Sequence, residues 1–283
     1  MKQSTTDFNQ IYNEMFYYIQ KNGVWSSDKV RTKYIDGTPA KRKQVIGYQF
    51  RFDNSTEILP VLESRFTPLK DAIRELYWIW IKQSNKVQDL KDLGCNFWNE
   101  WEKEDGTIGP AYGYQIAKEY FGHKSQLHYI LHEIKNNPDS TRIMTELWSA
   151  DDVAKMALTP CVHLTQWSVV EDRLFLEVRV RSQDFALGLV SNIYQYANLH
   201  RLVAKECNVK CADIIYSIHN LHYYDRHEDL LIKQIENQSH QIDQKPTILK
   251  NINCDSIWDF TPDSIEIETN NKTLPKIKFE IAV

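Results

Sequence analysis

The run MALTPCVHLTQWSVVEDRLFLEVRVRSQD, residues 156–184, decides the fold. Residues 161–170 and 174–182 alternate apolar with polar side chains, the period of a strand with one buried face, and Glu171, Asp172 and Arg173 break the alternation between them. Two such runs around a short polar stretch predict a β-hairpin. Folding it about that turn brings Cys161 close to Arg181 and Ser182, with the register free by one or two residues. A guanidinium beside a thiol favours the thiolate, the form that acts as a nucleophile. On spacing alone, Cys161 reads more readily as a small apolar core residue than as a nucleophile.

Outward from the hairpin, Phe8, Ile11, Tyr12, Met15, Phe16 and Ile19 recur at helical spacing and predict an amphipathic helix capped near Thr6 or Asp7. Residues 22–45 predict a charged connecting loop whose Arg31, Lys33, Lys41, Arg42 and Lys43 either hold an anion or form a solvated basic face. A strand follows over 45–52. Thr67 and Pro68 start a long helix with Leu69, Ala72, Ile73, Leu76, Tyr77 and Trp80 as its buried stripe. Glu75 interrupts that stripe, facing either solvent or a cavity. Residues 96–113, with Trp98 and Trp101, carry too much Gly and Pro for regular structure. A helix is expected from Ser125 to Asn136 and an extended run from Arg142 to Trp148. Another helix runs from Asn192 onward, strands fall at Asp213–Tyr216 and Ile265–Glu268, and alternating Ile277, Phe279 and Ile281 close the chain. Without a regular βαβ rhythm, this mixture predicts an α+β fold: one domain over 1–283, with a mixed, mainly antiparallel sheet flanked by helices.

Composition narrows the function. With 34 Lys plus Arg against 38 Asp plus Glu, the net charge of −4 argues against a duplex-DNA, RNA or anionic-membrane surface and for a small partner. No stretch approaches the roughly 18 to 20 apolar residues of a membrane span, and Met1 to Asp7 is polar, so a cytoplasmic location is expected. Five cysteines at irregular spacing suit free thiols. Cys207 and Cys211 could share a helix face but lack a second ligand pair, and the cluster of His219, His222 and His227 lacks a hydrolytic zinc pattern, so no metal is expected. No glycine-rich phosphate loop supports a kinase or dinucleotide reading.

The segment Met156-Ala157-Leu158-Thr159-Pro160-Cys161, followed by Arg181-Ser182-Gln183-Asp184, Leu187-Gly188 and Asn192, resembles the signature of the thymidylate synthase family. The likeness extends over nearly the whole chain, through Arg31-Thr32, the segment from Arg74 to Trp78, Trp98 to Trp101, Gly109 to Gly113, His222-Tyr223-Tyr224 and the final Ile281-Ala282-Val283. The resemblance implies reductive methylation of deoxyuridylate, with 5,10-methylenetetrahydrofolate as one-carbon donor and reductant and no metal. Cys161 would add to C6 of the uracil. Arg31, Arg181 and Ser182 would hold the 5′-phosphate, with Arg142 supplied by the second subunit of a homodimer. Asn192 would read the base, His222 and Tyr224 the sugar hydroxyl, Glu75 would move protons through ordered water, and Tyr112 would help remove the C5 proton. Asp184 would serve both ligands; Trp98, Trp101 and Gly188 would line the folate side, and Val283 would close over it.

The chain departs from the family pattern at several places. Thr141 stands where an arginine precedes Arg142, a loss of about 1.5 to 3 kcal/mol of nucleotide binding unless Lys33 or Arg42 compensates. Val190 and Ser191 replace a Pro-Phe pair, Arg65 replaces a lysine, and His219, Asn220 and Leu221 alter the approach to His222. Leu221 is a feature of pyrimidine nucleotide hydroxymethylases, which share the nucleophile and the folate donor but let water trap the methylene. Asn192, in place of their cytosine-reading aspartate, favours uracil.

Overall fold

Helix α1 (Phe8–Asn22) starts where the Asp7 carboxylate accepts the N–H of Gln10 at 2.9 Å, and its six expected apolar residues are all buried. The computed structural model describes residues 4–238 and 245–282. After the short strand β1 (Val24–Trp25) and the basic loop, β2 (Arg42–Asp53) buries Tyr48, Phe50 and Phe52, whereas Ile46 stays exposed. Helix α2 (Leu69–Leu76) gives way to a π-helical turn, Tyr77–Ile81, instead of continuing as one regular helix to Trp80. Trp78, Ile79 and Trp80, consecutive in this turn, are all buried. Thr67 is not the cap: its backbone is held by the Asn271 carboxamide, which accepts the Thr67 N–H at 2.8 Å and donates to its carbonyl at 2.7 Å.

The chain continues through α3 (Val87–Asp92), α4 (Gly113–Ala117), α5 (Gln126–Asn136), β3 (Met144–Glu146), β4 (Val162–Val170), β5 (Arg173–Asp184), α6 (Gly188–Cys207) and β6 (Lys210–Tyr224). It ends with α7 (Glu228–Gln238), β7 (Ile248–Ile252) and β8 (Ile265–Glu268). The strands form a six-stranded sheet in the order β1-β2-β6-β5-β4-β3 and a separate β7-β8 pair. Every pairing is antiparallel except β5 with β6, which are joined by α6. A parallel pair needs such a crossover, and α6 serves as the central buried helix, with Ile193, Ala197, Leu199 and Val203 fully enclosed.

The expected hairpin is present as β4 and β5. Its turn has two residues, Glu171 and Asp172, both in the left-handed region at φ 49° and 61°, the twist that matches paired strands. Three expectations fail. Strand β6 extends to Tyr224 because β2 supplies ladder partners as far as Tyr224 and β5 as far as His222. Residues 277–281 form no strand, having no edge to pair with. Cys207 ends α6 whereas Cys211 lies in β6, so they do not share a helix face.

Because α6 supports both the sheet and α2, truncation there is costly. Leu199→Ala, at a fully buried position, is expected to cost about 2–5 kcal/mol. A lower urea midpoint with an unchanged m-value would show it.

Candidate active site

Cys161 lies one residue before β4. The ladder runs regularly from the turn to Leu164 opposite Arg179, then slips, so that Val162 faces Val180. This bulge at His163 sets Cys161 against Arg181, whose N–H donates to the Cys161 carbonyl at 2.9 Å. The Arg181 side chain returns to the same loop: Nε donates to the Pro160 carbonyl at 2.9 Å, and Nη2 to the Thr159 carbonyl at 2.9 Å and hydroxyl at 2.6 Å. Its guanidinium lies 5.6 Å from the Trp148 ring centroid. Burial pushes the Cys161 thiol up, while the Arg181 charge pulls it down against smaller opposing effects of Asp184 and Glu75. The resting sulfur is therefore a thiol, and the cation only limits the cost of ionising it.

The Cys161 N–H donates to the Tyr112 hydroxyl at 3.2 Å. Tyr112 has the strained backbone φ 45°, ψ −104° at the start of α4. Flanking glycines permit it: a Cβ at Gly109 would come within 2.5 Å of the Lys155 carbonyl, and one at Gly113 within 2.1 Å of the Ser84 carbonyl. Glu75, beside the π-helical turn, faces this cluster. Its two oxygens accept from Trp98 Nε1 at 2.5 Å and from Gln195 Nε2 at 2.6 Å. Burial pushes the Glu75 carboxyl up, against the smaller lowering effect of these two donors. Trp98 is buried and packs on Trp101 and Tyr112, with centroids at 5.6 and 5.0 Å.

Asn192, in the second turn of α6, hydrogen-bonds the Tyr216 phenol. That phenol donates to Gln183 Oε1 at 2.9 Å, which fixes the direction of the chain of amides. Gly188 opens the space beside it, since a Cβ there would lie 3.0 Å from Gln183 Nε2. On β6, His222 is buried with Nδ1 2.9 Å from Asn220 Oδ1, while Asn220 Nδ2 donates to Gln44 Oε1 at 2.9 Å. A carbonyl oxygen only accepts, so the imidazole proton is assigned to Nδ1 and Nε2 is left as an acceptor. Burial pushes His222 down to about 3, with the Arg42 charge acting the same way. Tyr224 meets His222 edge-on at 5.3 Å. Asp184 Oδ1 accepts the N–H of Ala186 at 2.8 Å and of Leu187 at 3.3 Å, shaping the turn into α6, and burial raises its carboxyl. Ser182 pairs with Asn220 in the β5–β6 ladder.

The fold thus gathers Cys161, Arg181, Ser182, Asp184, Asn192, Glu75, Tyr112, Trp98, Gly188, His222 and Tyr224. Arg142 stands apart: Ile143 lies beside Trp167, six residues along β4 from Cys161 or about 20 Å away. It is exposed on the surface. Arg31 sits on an exposed loop and Trp101 is half-buried at the rim, while Val283 lies outside the described residues. His219 is exposed whereas His222 is buried, so the three histidines do not converge on a metal. Sequence reading gave no site role to Gln195, Trp148 or Tyr216, and none to Thr159 and Gln183 beyond their place in the signature. Gln195 had a signal, a carboxamide inside the apolar run Ile193 to Ala197; Trp148 had none.

Because burial raises the thiol, the rate of Cys161 alkylation by iodoacetamide, read by peptide mass analysis, should climb through about pH 9 without levelling off below it. Arg181→Gln removes the charge that lowers the thiol and should move the profile to still higher pH. A plateau below about pH 8 would contradict this.

The family model described as thymidylate synthase matches residues 10–283. The chain is 55% identical to the thymidylate synthase of Fusobacterium nucleatum subsp. nucleatum over 276 residues, covering 98% of each. It is 42% identical to thymidylate synthase 1 of Bacillus subtilis strain 168 over 284 residues, covering 98% of this chain and 100% of that one. Its fold matches the solved structure of the thermostable thymidylate synthase A from Bacillus subtilis with a TM-score of 0.89 at 41% identity, over 99% of this chain and 100% of that chain. With the thiol, its arginine and the Glu75 network lying within a match of that length, the chain belongs to the thymidylate synthase family.

Proposed function

We propose that the chain, acting as a single domain over 1–283, converts deoxyuridylate to thymidylate through a covalent bond between Cys161 and C6 of the base. The observation that carries this reading is the convergence of the Cys161 thiol, the Arg181 guanidinium and the Glu75 carboxylate on one half-buried cluster. Addition of the sulfur to C6 makes C5 nucleophilic, and one difficult substitution becomes several easier steps. The co-substrate 5,10-methylenetetrahydrofolate supplies the carbon and the hydride. Trp98, Trp101 and Tyr112 form an aromatic wall suited to its planar ring, and Gly188 leaves room beside Asn192.

The remaining roles are those the resemblance implies, and parts of the geometry support them. The Asn192 carboxamide, oriented by Tyr216 and Gln183, presents both a donor and an acceptor to the uracil edge. His222, neutral and with Nε2 as acceptor, takes a hydrogen bond from a sugar hydroxyl, and Tyr224 assists. Glu75 carries protons to and from the base, and Tyr112, whose hydroxyl accepts the Cys161 N–H, helps remove the C5 proton as a hydrogen-bonding group. Arg31, Arg181 and Ser182 receive the phosphate. The distance of Arg142 from its own chain's thiol and its exposure support a homodimer in which it completes the partner's site. The working location is the cytoplasm.

Leu221, the feature shared with hydroxymethylases, is fully buried in the apolar core and points to the face opposite its neighbour His222. From there it does not deliver water to the base. Val190 is likewise a core residue, and the buried Arg65 guanidinium donates to the Ala186 carbonyl and stacks at 5.1 Å on Phe279.

Incubation with deoxyuridylate and methylenetetrahydrofolate should yield a methylated nucleotide by mass, with a matching rise in dihydrofolate absorbance. Hydroxymethyl product without that rise would reject the reading. Cys161→Ser should lower turnover by roughly three orders of magnitude or more while deoxyuridylate still binds. Near-normal turnover would remove Cys161 from its role.

A further inference from the structure

Arg42 brings a cation into this site without a counter-ion. It is the first residue of β2 and stands opposite Tyr224 in the β2–β6 ladder, while Gln44, on the same face, stands opposite His222. Its main chain is fully engaged with Ser26: its N–H donates to the Ser26 hydroxyl at 3.0 Å, and its carbonyl accepts the Ser26 N–H at 2.8 Å. Its guanidinium is not engaged. Nε is shielded from solvent and has no hydrogen-bond partner, and among the described residues no carboxylate pairs with the group. The two neighbouring cations differ: Lys41 pairs with Asp28 at 2.6 Å and Lys43 with Glu228 at 3.3 Å.

A dehydrated guanidinium donor with nothing to accept from it is unfavourable unless a ligand supplies the acceptor. The surroundings define that ligand. Tyr224 lies in the field of both Arg42 and Arg31, and His222 in the field of both Arg42 and Arg181. Arg42 thus acts on both side chains, with Arg31 on the Tyr224 side and Arg181 on the His222 side. Asp184, opposite His222 in the β5–β6 ladder, already accepts two backbone N–H groups at its Oδ1. Such a cluster is left with surplus positive charge and fork-shaped donors, which suit a phosphate dianion.

We propose that Arg42 is a phosphate ligand of the nucleotide site, gripping the 5′-phosphate from within its own subunit together with Arg31 and Arg181. This rests on the nucleotide reading of the site given above. Position 141, next to Arg142, carries the neutral Thr141. In this chain part of the charge that meets the phosphate comes from β2.

The test compares binding of deoxyuridylate and of deoxyuridine, which lacks the phosphate, to the parent protein, Arg42→Gln and Arg42→Lys by titration calorimetry. Arg42→Gln should raise the Kd for deoxyuridylate by about tenfold or more, as loss of a charge-assisted contact does, and leave that for deoxyuridine within about twofold. Arg42→Lys keeps the charge without the fork and should fall between. Since the guanidinium has no protein partner, neither variant should melt below the parent. An unchanged Kd for deoxyuridylate, equal weakening of nucleotide and nucleoside, or a lowered melting temperature would each overturn the assignment. Failure of the parent protein to bind deoxyuridylate at all would instead sink the functional reading on which it rests.

Discussion

A one-residue slip in the β4–β5 ladder governs the rest of the site. Without the bulge at His163, regular pairing counted from the turn would set Cys161 against Ser182. With it, the thiol-bearing residue and Arg181 share a backbone hydrogen bond, and the guanidinium reaches back to the two residues before the thiol. The loop 159–161 is thereby tied to β5 at three points, and β5 is paired in the interior of the sheet with β6, which presents His222 and Tyr224. Groups from residues 161, 181 and 222 thus share one rigid frame. Bulges re-aim side chains beside reactive positions, and this one converts a hairpin into a platform.

Burial sets the resting charge of that platform. The Cys161 thiol, the Glu75 carboxyl and the Asp184 carboxyl are all pushed up, and the His222 imidazole is pushed down to about 3. Each shift favours the neutral form, as desolvation requires. A floor whose groups are biased toward their neutral forms, beneath a cationic rim, suits a ligand with a dianionic end and a neutral ring. It also makes proton transfer inexpensive, since no group has to abandon a well-solvated ionic state.

The fold was legible where side-chain periodicity is imposed by a single buried face. The alternation on both arms of 161–182 and the helical spacing from Phe8 to Ile19 predicted real elements with nearly correct ends. Periodicity failed where tertiary pairing overrode it. Strand β6 runs far beyond Asp213–Tyr216 because β2 and β5 pair with it as far as Tyr224 and His222 respectively, whereas the alternating 277–281 finds no edge. The π-helical turn after Glu75 left no mark on the apolar stripe. At the site, the reactive residues were legible through family resemblance, and hairpin geometry alone placed only Cys161 beside Arg181. The contacts that hold them, made by Gln195, Thr159 and Gln183, were not legible, because a hydrogen bond to a partner far away in sequence leaves no local pattern.

The loop that carries Arg31 and the tail beyond Phe279 are joined by one side chain. Arg226 donates to Asp36 at 2.7 Å and to the Thr38 hydroxyl at 2.6 Å, stacks 4.0 Å over Tyr34, and grips both oxygens of Glu280 at 2.8 and 3.0 Å. Next to it, His227 Nε2 lies 2.7 Å from the Glu280 carbonyl. Arg226 and its two acidic partners are open to water, so these pairs hold far less firmly than their short distances suggest. Arg181, by contrast, is half-buried and bound to fixed backbone carbonyls. Firm contacts lie beneath the reacting atoms, and easily exchanged ones lie where the basic loop meets the chain end. That gradient is what a site needs if it must keep its chemistry in register while its rim opens to admit and release two ligands in every cycle.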